Sequence, residues 1–343
     1  MGVYECKHYQ EDLENIIGYL PDRKINLLVT GATGLIGSCV IDALLYANQN
    51  YGRCYTVYAL GRSEVRLKSR FSYAENNDNL HFIVQDICNK IDDNLELNYI
   101  IHAASNADPH SYALYPVETI LTNVTGTRNV LEYARKHNNT KIILTSTMEV
   151  YGSVFERNIY KENDYGVIDF NHIRSGYPES KRVAELLCRS YLDEYNVMAV
   201  IARLGYIYGP TMIESDNKVV AQFIRNIIRN ENIVLKSEGN QKRSYCYVTD
   251  AVSGIFATLF RGKVGDVYNI ASKNSIITIK KMAEMAAEIG KCNVIFELQD
   301  DLEKKGSSKT QDYVLDVEKL ELLDWNPVYN IKTGLERTAI ILK

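Results

Sequence analysis

Thr30-Gly31-Ala32-Thr33-Gly34-Leu35-Ile36-Gly37 stands between an apolar run, INLLVT at 25–30, and a segment that reads as a helix over 35–47. A strand that turns on glycines into a helix offers free backbone N–H groups and a positive helix end to an anion. Gly31 serves the tight turn, Gly34 lets the backbone approach a pyrophosphate, and Gly37 lets the helix pack closely on the strand. Glycines alone are a weak signal, and a ligand-free βα turn is the alternative; the strand before and the helix after give this pattern its weight. Gly31, Thr33, Gly34, Leu35, Ile36 and Gly37 are therefore expected to hold a dinucleotide.

Outward from this loop, strand and helix signals alternate. Apolar strand runs fall at 56–60, 81–84, 99–103, 141–146 and 197–204, with helical segments at 116–136 and 177–195. That order predicts an α/β fold, a doubly wound parallel sheet with right-handed crossovers. After Gly209-Pro210 the rhythm loosens into helices near 219–230 and 249–260, short strands at 267–270 and 294–296, and a charged stretch at 300–309. The expected division is an N-terminal helical extension (1–24), a dinucleotide-binding domain (25–204 plus 247–272), and a smaller mixed α/β substrate-binding region (205–246 plus 273–343). The extension reads as an amphipathic helix over 11–20, with Leu13, Ile16, Ile17 and Leu20 on one face packed on the main domain.

The bulk numbers agree with an ordinary globular protein. The chain has 343 residues, 46% hydrophobic and 24% charged, with net charge -4. That charge provides no broad positive field for a nucleic-acid backbone. No apolar run is long enough to span a membrane, and the N-terminus lacks a signal-peptide core. The seven cysteines are scattered and never spaced as CxxC, which points to reduced thiols in a cytoplasm. The six histidines form no metal-binding pattern, so no metal is expected.

The end of the second strand should choose the cofactor. An acid there would bind the ribose 2′-hydroxyl of NAD. Here Gly61 is followed by Arg62, and no carboxylate appears before Glu64. Arg62 suits a 2′-phosphate, so NADP is favoured over NAD; a solvated arginine or one stacked on adenine is the alternative. Asp86, after the third strand, suits the adenine amino group or an Asx turn.

Tyr177-Pro178-Glu179-Ser180-Lys181 sets Tyr177 and Lys181 four apart, on one face of a helix. A neighbouring ammonium and an oxidised nicotinamide favour the phenolate, so that Tyr177 can take a hydroxyl proton while hydride leaves the same carbon. With 25 tyrosines the spacing alone proves nothing. It gains force from the glycine loop upstream and from Thr147 at a strand end, where a hydroxyl faces the crevice.

Taken together, TGATGLIG, HAAS at 102–105, NVTGTRN at 123–129, TSTMEVYG at 145–152, YPESK, RLGYIYGP at 203–210 and GNQKRSYCYVTD at 239–250 resemble the extended short-chain dehydrogenase/reductase family. Its members include nucleotide-sugar epimerases, dehydratases and decarboxylases. The resemblance implies a Rossmann sheet, a nucleotide-diphosphate sugar oxidised at C4 to a 4-keto intermediate, and a homodimer formed through the helices at 116–136 and 177–195. It implies cofactor contacts at Ile87, Ala103 and Ala104 as well as at Tyr177 and Lys181. It makes Thr147, Glu149, Tyr177 and Lys181 the catalytic set. Arg243 matches the family arginine for the diphosphate, a planar fork suited to phosphate; a surface ion pair is its alternative. Lys218 and Gln222 are expected near the base or phosphates.

The segment after Thr147 separates the reactions. The 4,6-dehydratases of the family carry Asp then Glu there, and epimerases usually lack the Glu. This chain has Met148 and Glu149; the threonine and Glu149 before Val-Tyr-Gly are most similar to UDP-glucuronate decarboxylases, which carry a small residue where Met148 departs, and which the chain also resembles in Arg174 and in HAASNADPHSYALYPVET at 102–119. Glu149 is expected to position the sugar, or to pair with an arginine. The chain departs from the family at Tyr206, where an asparagine that touches substrate is usual, so that contact must differ. The rival expectations are a 4,6-dehydratase or 4-epimerase, and a non-catalytic dinucleotide-binding sensor.

Overall fold

A computed structural model describes residues 2–107, 112, 114–154, 158–297 and 312–343. The charged stretch at 300–309, and positions 108–111 and 113 of the decarboxylase-like segment, lie outside the described residues. In chain order the strands are β1 (Ile25–Thr30), β2 (Tyr55–Gly61), β3 (Leu80–Val84), β4 (Tyr99–His102), β5 (Lys141–Thr147), β6 (Ile159–Tyr160), β7 (Ala199–Leu204), β8 (Tyr206–Tyr208), β9 (Ile233–Leu235), β10 (Lys242–Tyr247), β11 (Val267–Ile270), β12 (Ile276–Thr278), β13 (Val294–Phe296) and β14 (Val314–Leu315).

Seven of them form one parallel sheet in the order β11-β7-β5-β4-β1-β2-β3. Strands buried on both faces read as unbroken apolar runs, and INLLVT is buried at every position but Asn26. The strand order reverses between β1 and β4, where Thr30 lies opposite His102. Such a reversal opens a crevice at the carboxyl ends of the strands. Thr30 Oγ1 holds that end together: it lies 2.8 Å from His102 Nδ1 and accepts from the N–H groups of Ala103 and Ala104, each at 3.1 Å.

The remaining strands make small sheets beside this one: β12-β10-β8, β13-β9 and β14-β6. Helices Val219–Arg229, Ile279–Gly290 and Ile331–Leu342 cover a separate apolar cluster around Phe223, Ile227, Met282 and Leu335. The N-terminal helix spans Lys7–Ile17 rather than 11–20, and buries Leu13, Ile16 and Ile17 as expected. It begins earlier because its first turns have tertiary partners that local periodicity does not reveal. Tyr9 donates to Asp42 at 2.8 Å. Buried Asp12 accepts from Tyr247 at 2.7 Å, Tyr329 at 2.6 Å and Arg337 Nε at 2.9 Å. Among the described residues no helix is long and apolar enough to cross a membrane, and no cluster of metal ligands occurs.

Candidate active site

The glycine loop has the geometry its chemistry needs. Gly31 sits at φ +67°, a left-handed conformation, and a Cβ there would lie 2.7 Å from the Ala103 carbonyl oxygen. A Cβ on Gly37 would strike the Gly31 carbonyl oxygen. Gly34 caps the helix Leu35–Tyr51, leaving the first-turn N–H groups of that helix to face the crevice. This cradle, which any side chain would fill, fits a dinucleotide pyrophosphate.

The loop opens onto a cavity of ≈ 1410 Å³. Its wall includes all of the expected loop residues, together with Arg62, Asp86, Ile87, Ala103, Ala104, Thr147, Glu149, Tyr177, Tyr206 and Lys218. Arg62 is ion-paired with Glu118 at the crevice rim. Asp86 forms the Asx turn, accepting from Cys88 N at 2.8 Å, and still faces the cavity. Lys218 pairs with Asp216 at 3.2 Å. Gln222 does not line the cavity.

Three expected site residues stand behind that wall. Lys181 is buried one helical turn beyond Tyr177, its Nζ donating to the Thr145 carbonyl at 3.0 Å. Arg174 reaches Glu149 from the outside at 3.2 Å, and its buried Nε has no partner among the described residues. Arg243 is buried and does not line the cavity. It lies between two rings, 5.5 Å from the Tyr206 centroid and 5.2 Å from that of Tyr313. The parallel pairing of Tyr206 with Tyr245 brings β8 against β10 and sets Tyr206 between Arg243 and the cavity. That pairing is non-local, so spacing along the chain did not reveal it.

Tyr177 is nearly inaccessible, and its protein surroundings hold its phenol well above the ordinary tyrosine value. Burial is the main cause and the Glu149 charge adds to it, whereas the Thr147 hydroxyl, Arg174 and Tyr112 oppose it. Burial also pushes Lys181 down to about 8, against the pull of Glu185. The expected low pKa of Tyr177 is thus not a property of the protein alone. Because the Glu149 charge raises the tyrosine, Glu149→Gln is expected to move the acid limb of the kcat/KM profile to lower pH. Arg174→Leu should move it to higher pH. Rate profiles from pH 5 to 10 check both, and a limb that stays put in the two variants would exclude Tyr177 as the titrating group.

Sequence reasoning missed two groups. Tyr112 stacks on Tyr177 with centroids 4.3 Å apart and planes 10° from parallel; among so many tyrosines no spacing singles it out. Glu185 lies four residues beyond Lys181, so the helical repeat did signal it. It accepts from Ser146 at 2.6 Å and pairs with Arg203 at 2.7 Å, joining the helix Gly176–Tyr195 to β5 and β7.

A doubly wound sheet whose switch point carries this glycine cradle, with a buried tyrosine and lysine beside it, defines a dinucleotide-dependent enzyme of the short-chain dehydrogenase/reductase type. Residues 27–271 match the model of the NAD dependent epimerase/dehydratase family, and the chain belongs to that family. UDP-glucuronic acid decarboxylase 6 of Arabidopsis thaliana is 32% identical over 311 residues, 91% of this chain and 87% of that one. UDP-glucuronic acid decarboxylase 1 of Xenopus tropicalis is 30% identical over 321 residues, 92% and 72% of the two chains. Among solved structures, UDP-glucuronic acid 4-epimerase of Bacillus cereus, in complex with UDP-glucuronic acid and NAD, shares the fold. It has a TM-score of 0.77 at 24% identity, over 93% of this chain and 99% of that one.

Proposed function

We propose that the protein oxidises the C4 hydroxyl of UDP-glucuronate and releases the C6 carboxylate as CO2. The observation that carries this reading is Arg174: a half-buried guanidinium paired with Glu149, its Nε without a partner among the described residues. A planar fork in that position suits a sugar carboxylate, and the similarity to UDP-glucuronic acid decarboxylases over nine-tenths of the chain supports the assignment. Met148, where a dehydratase would carry an acid, is buried and apolar.

Tyr177 takes the C4 hydroxyl proton, and Thr147, on the same cavity wall, aligns the reacting oxygen. The bound dinucleotide supplies the hydride acceptor. Lys181 holds positive charge one helical turn from the tyrosine and favours its phenolate. A carboxylate beside the new 4-ketone is a β-keto acid, so the C5–C6 bond breaks with little further acid–base help, its electron pair passing into a 4-enolate that takes up a proton at C5. Tyr177 then returns the proton to the oxygen as C4 takes the hydride back from the same dinucleotide, which gives the UDP-pentose. Arg174 orients that carboxylate while Glu149 gives up its place on the guanidinium. Arg243, with Tyr206 over it, is assigned to the diphosphate and Lys218 to the phosphates or base; Tyr206 takes over the contact an asparagine makes elsewhere in the family. Incubation with UDP-glucuronate should yield CO2 and a UDP-pentose. If turnover is confined to an uncarboxylated nucleotide sugar, the proposal fails.

The preferred cofactor is NADP, on the support of Gly61 at the end of β2 and of Arg62 and Arg66 on the cavity wall. An exposed charged contact is worth roughly 1 kcal/mol. Arg62→Ala should therefore weaken NADP about fivefold in a calorimetric titration and leave NAD nearly unchanged. We assign a homodimer to the face that bears Val117, Leu121, Val183 and Leu186, which are 68%, 51%, 42% and 61% exposed on the two long neighbouring helices. Light scattering at monomer mass would contradict it. The domain division at 204/205, 246/247 and 272/273 and a cytoplasmic location, consistent with seven free thiols, complete the reading.

A further inference from the structure

We infer that residues 2–5, which precede the family-matched span, belong to the dinucleotide site and form its outer wall on the side of the ribose 2′-position. The inference rests on the NADP assignment above. The cavity lined by the glycine loop, Arg62 and Arg66 is also lined by Gly2, Val3, Tyr4 and Glu5.

The segment is held in place by named contacts. It forms a short 3-10 turn in which Gly2 N donates to Glu5 Oε2 at 2.9 Å. Tyr4 is buried and lies flat on Tyr73, with centroids 3.8 Å apart and planes at 7°. Its hydroxyl donates to Gln49 at 3.3 Å, and its carbonyl accepts from Gln10 at 3.1 Å. Tyr73 in turn donates to Asp42 at 2.5 Å, and Arg70 donates to the same carboxylate. Asp42 belongs to the helix that starts at the glycine loop, and Arg70 ends the helix that follows Arg62. The wall is therefore tied to both elements that flank the cofactor crevice.

This position has an electrostatic consequence. Arg66 is exposed and makes no ion pair among the described residues. A phosphate met only by exposed arginines gains little, because water and salt screen the attraction. A wall on the outer side, anchored by buried Tyr4, reduces the solvent around that phosphate and strengthens the same interaction. It acts on the 2′-phosphate and so separates NADP from NAD.

Gly2 gives a test that leaves the packing intact. It is exposed, and a Cβ there meets only the Glu5 side chain, at 3.5 Å. NADP and NAD are titrated calorimetrically into the wild type, Gly2→Asp, Gly2→Lys and Tyr4→Ala, with UDP as a control at the far end of the site. Gly2→Asp should raise the NADP dissociation constant about threefold and Gly2→Lys lower it by a similar factor, with the NAD constant unmoved. Tyr4→Ala should weaken NADP and make its binding more sensitive to salt. Gly2 variants that leave the NADP constant unchanged in a wild type that prefers NADP overturn the wall alone. A wild type that binds NAD as tightly as NADP overturns the cofactor assignment and this inference with it.

Discussion

Tyr177→Phe is expected to lower kcat by about 10²–10⁴, the range that a positioned proton-transfer group supplies. In free energy this is roughly 3–5 kcal/mol of barrier. The loss belongs to one oxygen atom. The ring remains, so the stack on Tyr112 at 4.3 Å and the burial at the cavity wall persist. Dissociation constants for the dinucleotide and for UDP should move less than about threefold, since neither depends on a proton taken from the sugar. Thr147 keeps its place as well, because its hydroxyl caps the turn after β5 by accepting from Glu149 N at 3.2 Å. The check is a single-turnover measurement of reduced cofactor at saturating substrate. A variant within threefold of the wild-type rate would remove Tyr177 from proton transfer, and the sensor reading would then regain its footing.

Glu185→Leu is expected to cost about 3–5 kcal/mol of folding stability, the usual penalty for stranding one member of a buried ion pair. Arg203 donates to the two Glu185 oxygens from Nε at 3.0 Å and Nη2 at 2.7 Å. It also donates to the Glu162 carbonyl at 2.9 Å and lies 4.7 Å over the Tyr151 ring. Without the carboxylate that guanidinium stays buried and unmatched. Against a total stability of about 5–15 kcal/mol the loss is large, and urea unfolding should show a clear drop in midpoint. The double variant Glu185→Leu/Arg203→Met should recover most of it, because two apolar groups leave no buried charge. A single variant within about 1 kcal/mol of the wild type would mean that the pair is solvated in solution. Activity should fall along with stability, since Glu185 shares its helix with Tyr177 and accepts from Ser146, the neighbour of Thr147.

Local signals along the chain account for much of the fold. INLLVT became β1 at the expected bounds, and the helix Pro116–Lys136 did too, because a buried run and a proline at the first helical turn need no distant partner to be read. The glycine loop was legible for the same reason: turn, close approach and helix packing are requirements on neighbouring residues. Tyr177 and Lys181 share a helix face by spacing alone.

The limits of that reading follow from distance in the chain. Arg62 was read as a phosphate ligand, and its ion pair with Glu118 depends on a helix more than fifty positions away. Arg243 reads as a phosphate fork or a surface charge, but the pairing of β8 with β10 and the bridge to Tyr313 bury it between rings. By itself, then, the amino-acid sequence determined the alternation of strands and helices, the glycine cradle and the placing of Tyr177 and Lys181, the groups proposed for proton transfer, on one helix face, since each depends on residues a few positions apart. Only the tertiary structure decided how those groups are charged and what surrounds them. Burial holds Tyr177 high and Lys181 low, Glu149 meets Arg174, and Gly2–Glu5 line the cavity. Desolvation and charge pairing are set by what packs against a group in space, and no periodicity along the chain encodes that.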